Sequence, residues 1–431
     1  MNERIKKYLR RIMILGLLVA GFAGIVWCFN QLLVTPDTWS DFVMEHFYNR
    51  EENIENLYLG SSHVYCDVDP DILDELTQKN NFNLSTSSQS FYLSYLLLQE
   101  ADKLYDLEHV YLEMYYYLHI KGNENYYETA SNFIVWDRMK NSAMKYISIL
   151  QQDPNEELLA VYLPFSRFNS YLFDTGHIKN VQYRKEEIDK RHHNHESGYR
   201  ESLYSIDAKQ YKEYKNGDMD LEPMSVEAKQ YLLKIIEYCA DRDISLTLFS
   251  SPMPEWMMIK AGDYDYYVDQ VRSIADEYGL QYYDFNLCKE QYLSLSYEHF
   301  RDDDHLNGEG ADVFTPVLHD VLTNDKQEYF YDSYQEKLEK TEPAMYGLIT
   351  DQTVEIPESG EITYEIASNR EEGMEYRVEF IPSLREKECE VIQDYAQNKR
   401  FSFYSEEEGV FQISARMCGE TEPFVQLQVE K

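Results

Sequence analysis

Two short motifs about 240 residues apart carry the side chains best suited to chemistry. Gly60-Ser61-Ser62-His63 closes an apolar run, and Asp302-Asp303-Asp304-His305-Leu306-Asn307 comes late in the same expected domain. A serine hydroxyl needs a base to take its proton, and an imidazole base needs a partner that fixes its tautomer and orientation. A serine on a tight turn, answered by Asp-x-x-His, is the layout of a serine hydrolase triad. Base and orienter arrive together on one short loop. The corresponding chemistry is attack on an acyl carbonyl, and no cofactor is expected.

Groups so far apart in sequence need a rigid frame, and the surrounding pattern predicts one. Residues 54–60 read as a short buried strand ending on glycine. A helix opened by Asp-Pro follows over Asp69–Gln78, then a strand at Asn81–Leu84, a helix over Phe91–Asp106 and a strand at His109–Tyr115. Strand, helix, strand, helix, strand at this spacing means a parallel sheet with covered faces. The pattern resumes with a helix at Ser225–Arg242, a buried strand at Ile244–Phe249, a helix at Tyr264–Tyr278, a strand at Gln281–Phe285 and a final helix at Gly308–Leu322. In an α/β sheet ligands collect at the carboxyl ends of strands, and both motifs fall there.

Between about 120 and 220 the chain is polar, aromatic-rich and mostly helical in pattern. It is too long for a plain crossover and reads as an insertion or cap over the sheet's C-terminal edge. Residues 325–345 are charged and helix-like, a plausible linker. From 346 to 431, period-two alternation recurs at Val354–Ile356, Ile362–Ile366, Tyr376–Phe380, Phe401–Tyr404, Val410–Ala415 and Phe424–Val429, with turn residues between. That predicts a small β-sandwich-like domain.

The N-terminus sets a location. Residues 1–11 carry Arg4, Lys6, Lys7, Arg10 and Arg11 against one acid, Glu3, and form a basic cytoplasmic tail. Residues 12–34 follow as an apolar span that nearly or fully crosses a bilayer core of about 30 Å. The basic flank places the rest of the chain outside. A cleaved signal peptide is the competing reading. Against it, the run is long, no small-x-small site follows, and Val26-Trp27 before Cys28 does not make a lipoprotein box. Acidic residues outnumber basic ones 78 to 40, for a net charge of −38, which excludes nucleic acid as a partner. The 39 tyrosines suit sugar stacking as well as half-buried strand positions. None of the six cysteines forms a CxxC or zinc-like spacing; Cys389 and Cys418 either bridge in an oxidising compartment or stay as buried thiols.

These blocks resemble the SGNH/GDSL hydrolase superfamily over roughly residues 54–322. Gly60-Ser61-Ser62 matches its first block, normally Gly-Asp-Ser, and Asp302-Asp303-Asp304-His305 its last. The resemblance implies a flavodoxin-like parallel sheet over residues 50–324, with Ser62 as nucleophile, His305 as general base and acid, and Asp302 as orienter. It also implies an oxyanion hole built from the nucleophile, a second-block glycine and a third-block asparagine. Here Ser88 stands where the glycine is expected, within Asn83-Leu84-Ser85-Thr86-Ser87-Ser88-Gln89, and Leu112-Glu113-Met114-Tyr115 replaces the Gly-x-Asn-Asp block. Ser88 can offer its N–H, and Gln89 could donate from its side chain.

With its anchor, the chain is similar to membrane-anchored SGNH-like proteins of envelope acylation, such as the alginate O-acetylation and D-alanyl lipoteichoic acid proteins. The implied activity is O-acyl transfer or ester hydrolysis on an extracytoplasmic glycan or teichoic acid, beside a membrane-bound O-acyltransferase. The rival is a non-catalytic scaffold that binds glycan or recruits such an acyltransferase.

Other residues have blander readings beside the functional ones. His63 lines the substrate site or is simply a solvated neighbour. Glu113 touches substrate or is a buried, hydrogen-bonded carboxylate. The three aspartates lack the alternating ligands of a calcium loop. His192, His193 and His195, among Lys190, Arg191 and Glu196, read as a solvated helix face rather than as metal ligands.

Overall fold

The computed structural model describes residues 3–115, 126–152, 157–186, 191–205, 213–215, 223–260, 263–302, 304–350, 362–370, 372–383, 389–404 and 408–430. The chain forms two compact units, Met1–Asn49 with Tyr126–Lys190, and Arg50–Asn125 with Arg191–Lys431.

The first unit opens with α1 (Glu3–Leu33) and α2 (Thr38–Asn49). A window of α1 has a mean hydropathy of 2.5 and none of it is buried, so the helix is long and apolar enough to cross a membrane.

In the second unit, β1 (Asn56–Leu59) leads into α3 (Ser62–Asp67) and α4 (Pro70–Thr77), then β2 (Asn81–Asn83), α5 (Phe91–Asp102) and β3 (His109–Glu113). Helix α4 starts where Asp69 caps it, accepting from the Asp71 N–H at 2.9 Å. Ser90 caps α5 in the same way.

The chain then returns to the first unit for α6 (Tyr126–Trp136), α7 (Ala143–Gln152), α8 (Glu157–Tyr162) and α9 (Thr175–Glu186). There the end of α1 is tied down. Asn30 Oδ1 accepts from the Phe165 N–H at 3.0 Å, His177 Nε2 lies 2.7 Å from the Leu33 carbonyl, and Phe29 stacks on Phe165. Much of the expected insertion therefore packs with the N-terminal helices.

What re-enters the second unit first is a hairpin, β4 (His192–Asn194) and β5 (Arg200–Ser202), followed by β6 (Glu213–Lys215). The frame is completed by α10 (Val226–Ala240), β7 (Ser245–Ser250), α11 (Glu255–Lys260), α12 (Tyr264–Tyr278), β8 (Gln281–Asp284), α13 (Gly308–Asn324) and α14 (Tyr334–Lys340).

The sheet runs β2-β1-β3-β7-β8 and every pairing is parallel. This is the 2-1-3-4-5 order of a doubly wound sheet, whose order reverses between β1 and β3. Both strands end beside that crevice. The β1 side chains are all buried, as strands covered on two faces require. Tyr58, Val64, Phe249, Phe285, Leu306 and Phe314 share one core, which joins the sheet to α3, the His305 loop and α13.

The C-terminal part holds β9 (Met345–Thr350), β10 (Ile362–Ser368), β11 (Met374–Pro382), β12 (Glu390–Ala396), β13 (Arg400–Phe403), β14 (Gly409–Met417) and β15 (Val425–Glu430). They make two four-stranded sheets, β13-β10-β9-β6 and β12-β11-β14-β15, antiparallel except that β6 runs parallel to β9. Alternate residues such as Tyr376, Val378 and Phe380 face a shared aromatic core with Phe401, Phe403 and Phe411. The Val354–Ile356 run lies outside the described residues. Cys389 and Cys418 are exposed free thiols, so neither expected arrangement is found.

Candidate active site

The turn after β1 is held by what surrounds it. A Cβ at Gly60 would lie 2.4 Å from Val64 Cγ2 and 2.7 Å from Glu113 Cβ, so only glycine lets β1 pass this close to β3. Ser61 is extended and buried, and α3 begins at Ser62, which is half-buried. Asn83, at the end of β2, donates to the Val64 carbonyl at 2.7 Å and the Val68 carbonyl at 3.3 Å, satisfying the C-terminal end of α3. The short helix that presents Ser62 is thus fixed at both ends.

The second motif is a tight loop. Asp302 Oδ1 accepts from the N–H groups of Asp304 (3.0 Å) and His305 (2.9 Å), and the Arg301 N–H donates to the His305 carbonyl at 3.0 Å. The Leu306 N–H donates to Asp67 Oδ1 at 3.0 Å, which fastens this loop to the end of α3. Asn307 then caps α13, accepting from the Gly310 N–H at 2.9 Å.

These two anchorages bring the groups together. His305 Nε2 lies 2.7 Å from Ser62 Oγ, and His305 Nδ1 lies 2.8 Å from Asp302 Oδ1. An ionised carboxylate can only accept, so Nδ1 carries the proton and Nε2 is left to accept from the serine. Burial alone would raise the Asp302 carboxyl. The hydrogen bond and charge of His305, the Arg301 guanidinium and the Asp304 N–H override it, holding Asp302 well below the usual carboxylate range. Arg301 reaches Asp302 Oδ2 with Nε at 3.0 Å and also donates to Ser202 Oγ at 3.3 Å.

His63 is fully buried rather than solvated. Its ring stacks on Tyr115 at 3.4 Å between centroids, stands 4.9 Å from the His305 ring, and sets Nδ1 3.8 Å from Asp67 Oδ2.

Ser88 has φ +51°, in the left-handed region, which is the physical reason a glycine suits that position. Gln89 Oε1 accepts from the Thr86 N–H and hydroxyl, each at 3.0 Å, while Nε2 donates to the Leu84 carbonyl and Ser94 Oγ. Its amide is therefore committed to shaping the 84–90 loop. As a side-chain donor to an oxyanion, Gln89 is corrected to a loop-forming residue.

Glu113 is buried beneath the turn and accepts from the Tyr115 N–H at 2.6 Å. Burial pushes its carboxyl up to about 8; the N–H groups of Tyr115, Ser251 and Ser61 draw it down without offsetting that cost, and the Asp284 charge adds to it. Such a group is neutral in the folded chain at pH 7 and ionised in the unfolded one. Its stabilisation is complete below the ordinary value of 4.5 and is lost as pH rises towards 8, at about 1.4 kcal/mol per pH unit. Glu113→Gln removes this slope. In urea unfolding at a series of pH values, the stability of the native chain relative to the variant falls by that amount per unit between pH 5 and 8. A flat difference would show that Glu113 is ionised in the fold.

Neither Arg301 nor Asp67 stood out in the sequence. Asp67 left one trace, as the carboxylate inside the apolar run Val64-Tyr65-Cys66-Asp67-Val68. A cavity of about 660 Å³ lies close by, lined by Glu201, Ser202, Tyr204, Glu298, Asn307 and Glu309. It does not include Ser62 or His305, so the chemistry is located by the triad geometry and not by this cavity.

No family model and no curated protein matches the chain. Among solved structures, a candidate acylhydrolase from Bacteroides fragilis NCTC 9343 aligns with 67% of this chain and 98% of its own, at 8% identity and a TM-score of 0.31. A Cellulomonas fimi endo-β-1,4-mannanase double mutant aligns with 93% of this chain and 98% of its own, at 9% identity and a TM-score of 0.15.

Proposed function

We propose that this protein is a serine-dependent acyl-ester hydrolase or O-acyltransferase of SGNH type. The observation that carries the reading is the unbroken hydrogen-bond chain from Ser62 Oγ through His305 to Asp302.

As Ser62 Oγ bonds to an ester carbonyl carbon, His305 Nε2 takes the hydroxyl proton and Asp302 stabilises the imidazolium that forms. The carbonyl oxygen becomes an oxyanion, and the backbone N–H groups of Ser62 and Ser88 are its donors. Collapse breaks the ester C–O bond, and His305 returns the proton to the departing alcohol, leaving an acyl-Ser62. Water or a second hydroxyl, deprotonated by His305, then attacks that ester and restores the serine. Water gives hydrolysis; a sugar or polyol hydroxyl gives transfer.

The apolar, unburied α1 with its basic leading residues supports a single-pass anchor with the second unit outside the cytoplasm. In that setting the acceptor is a cell-envelope glycan or teichoic acid, and a membrane-bound O-acyltransferase is the partner that supplies acyl groups.

The test is intact mass of the full chain in detergent after treatment with a small fluorophosphonate, beside Ser62→Ala. A single adduct that vanishes in the variant is expected. No adduct on folded protein would favour a scaffold, a reading that draws on the Tyr115 N–H being occupied by Glu113 where the family keeps an asparagine block.

A further inference from the structure

The histidine-rich segment forms one arm of a hairpin, and strand pairing arranges its side chains. His193 stands directly opposite Glu201, while His192 is opposite Ser202. Successive residues of a strand alternate faces, so His195 returns to the His193 side and His192 does not. His192 instead bonds Ser202 Oγ at 3.1 Å.

On the shared face, His193 Nδ1 lies 3.2 Å and His195 Nε2 3.5 Å from the same oxygen, Glu201 Oε2. One ligand atom from each of the three lies within 4.8 Å of the others. A tetrahedral zinc ion with bonds of about 2.0–2.1 Å separates its ligand atoms by about 3.3–3.4 Å, so the two spacings to Glu201 already match.

A second observation concerns His195 alone. Its Nδ1 is 2.9 Å from Asp71 Oδ2, at the start of α4. That carboxylate fixes the proton on Nδ1 and turns the Nε2 lone pair towards Glu201. Nε2 itself is closed to solvent, and Glu201 Oε2, 3.5 Å away, lies at the outer limit of hydrogen-bond reach. A carboxylate behind an imidazole whose other nitrogen faces two further donors is the usual support of a zinc-ligating histidine.

We propose that His193, His195 and Glu201 form a binding site for a zinc-like divalent transition-metal ion, with Asp71 as its positioning residue. Two imidazoles select such an ion over magnesium or calcium, and the fourth position is open to water or an exchangeable ligand. Bound there, the ion clamps β4 to β5. It also ties the hairpin, through His195 and Asp71, to α4.

The experiment is zinc titration of the chelator-stripped full chain in detergent, against a competing chromophoric chelator. One equivalent should bind. His193→Ala should weaken that binding at least tenfold, Asp71→Asn by about 10–100-fold, and His192→Ala should leave it unchanged. His193 is suited to the decisive variant because its side chain is 66% exposed and its loss does not threaten folding. Failure of the native chain to retain zinc, or equal affinity in His193→Ala, would overturn the site.

Discussion

On the proposed reading, Asp302→Asn is expected to lower turnover of an activated ester such as p-nitrophenyl acetate by about 10³–10⁴-fold, with KM nearly unchanged. The amide keeps the size of the carboxylate but not its charge. In the native chain one oxygen, Oδ1, holds three N–H groups, from Asp304, His305 and the His305 ring, while Oδ2 meets Arg301. If the amide oxygen takes the first place, its NH2 faces the Arg301 guanidinium, donor against donor. If it takes the second, the NH2 faces Nδ1, which must then become an acceptor and leave the proton on Nε2, where it cannot serve as base. Either arrangement removes the negative charge that stabilises the imidazolium, and that charge matters only once the proton has moved, so kcat falls rather than KM. Because the Asp302 carboxyl is held below its ordinary range, its share of folding stability is present above that range and is lost only as pH falls through the lowered value. Turnover within tenfold of the native chain would remove Asp302 from the mechanism.

Gly198→Ala destabilises the docked hairpin by about 3 kcal/mol, combining left-handed backbone strain of about 1–2 kcal/mol with overpacking of a similar size. Gly198 has φ +94°, and a Cβ there would sit 2.0 Å from the Asn83 carbonyl oxygen, an atom of the backbone that cannot swing aside. The same contact region holds the Asn83 N–H to the Ser197 carbonyl at 2.9 Å, so the hairpin tip closes the free edge of β2. Limited proteolysis of the native chain and the variant reads this directly: cleavage within residues 191–205 should appear in the variant first. Because Ser202 supports Arg301, which supports Asp302, turnover should also fall. Equal protection of the hairpin in both proteins would show that the segment moves away without cost.

Much of the frame was legible because local rules and the fold agree. Asp-Pro before Ile72 begins α4, the helical pattern from Phe91 is α5, and the apolar runs at β1, β3 and β7 are the buried strands of a parallel sheet. The alternation from Ile362 onward appears as paired strands, although β12, with mostly half-exposed or exposed side chains, showed no alternation to find. The histidine segment misled for a physical reason. A three-residue strand is too short to display a period, and its pairing with Arg200–Ser202 is a non-local fact.

The sequence by itself determined the chemical types at the site and the order in which the chain delivers them: a serine after a strand-ending glycine, and a histidine three residues beyond an aspartate. It also determined the apolar N-terminal span, since a long run of apolar residues needs no tertiary partner to be recognised. Only the tertiary structure decided which groups meet. The 2.7 Å contact between His305 and Ser62 depends on Asp67 holding Leu306 and on Asn83 holding the end of α3. Burial likewise decided that Glu113 is a neutral acid beneath the turn and that Gln89 serves its own loop. Distances and solvation are properties of the packed chain, set by contacts between residues far apart in sequence, and no local pattern encodes them.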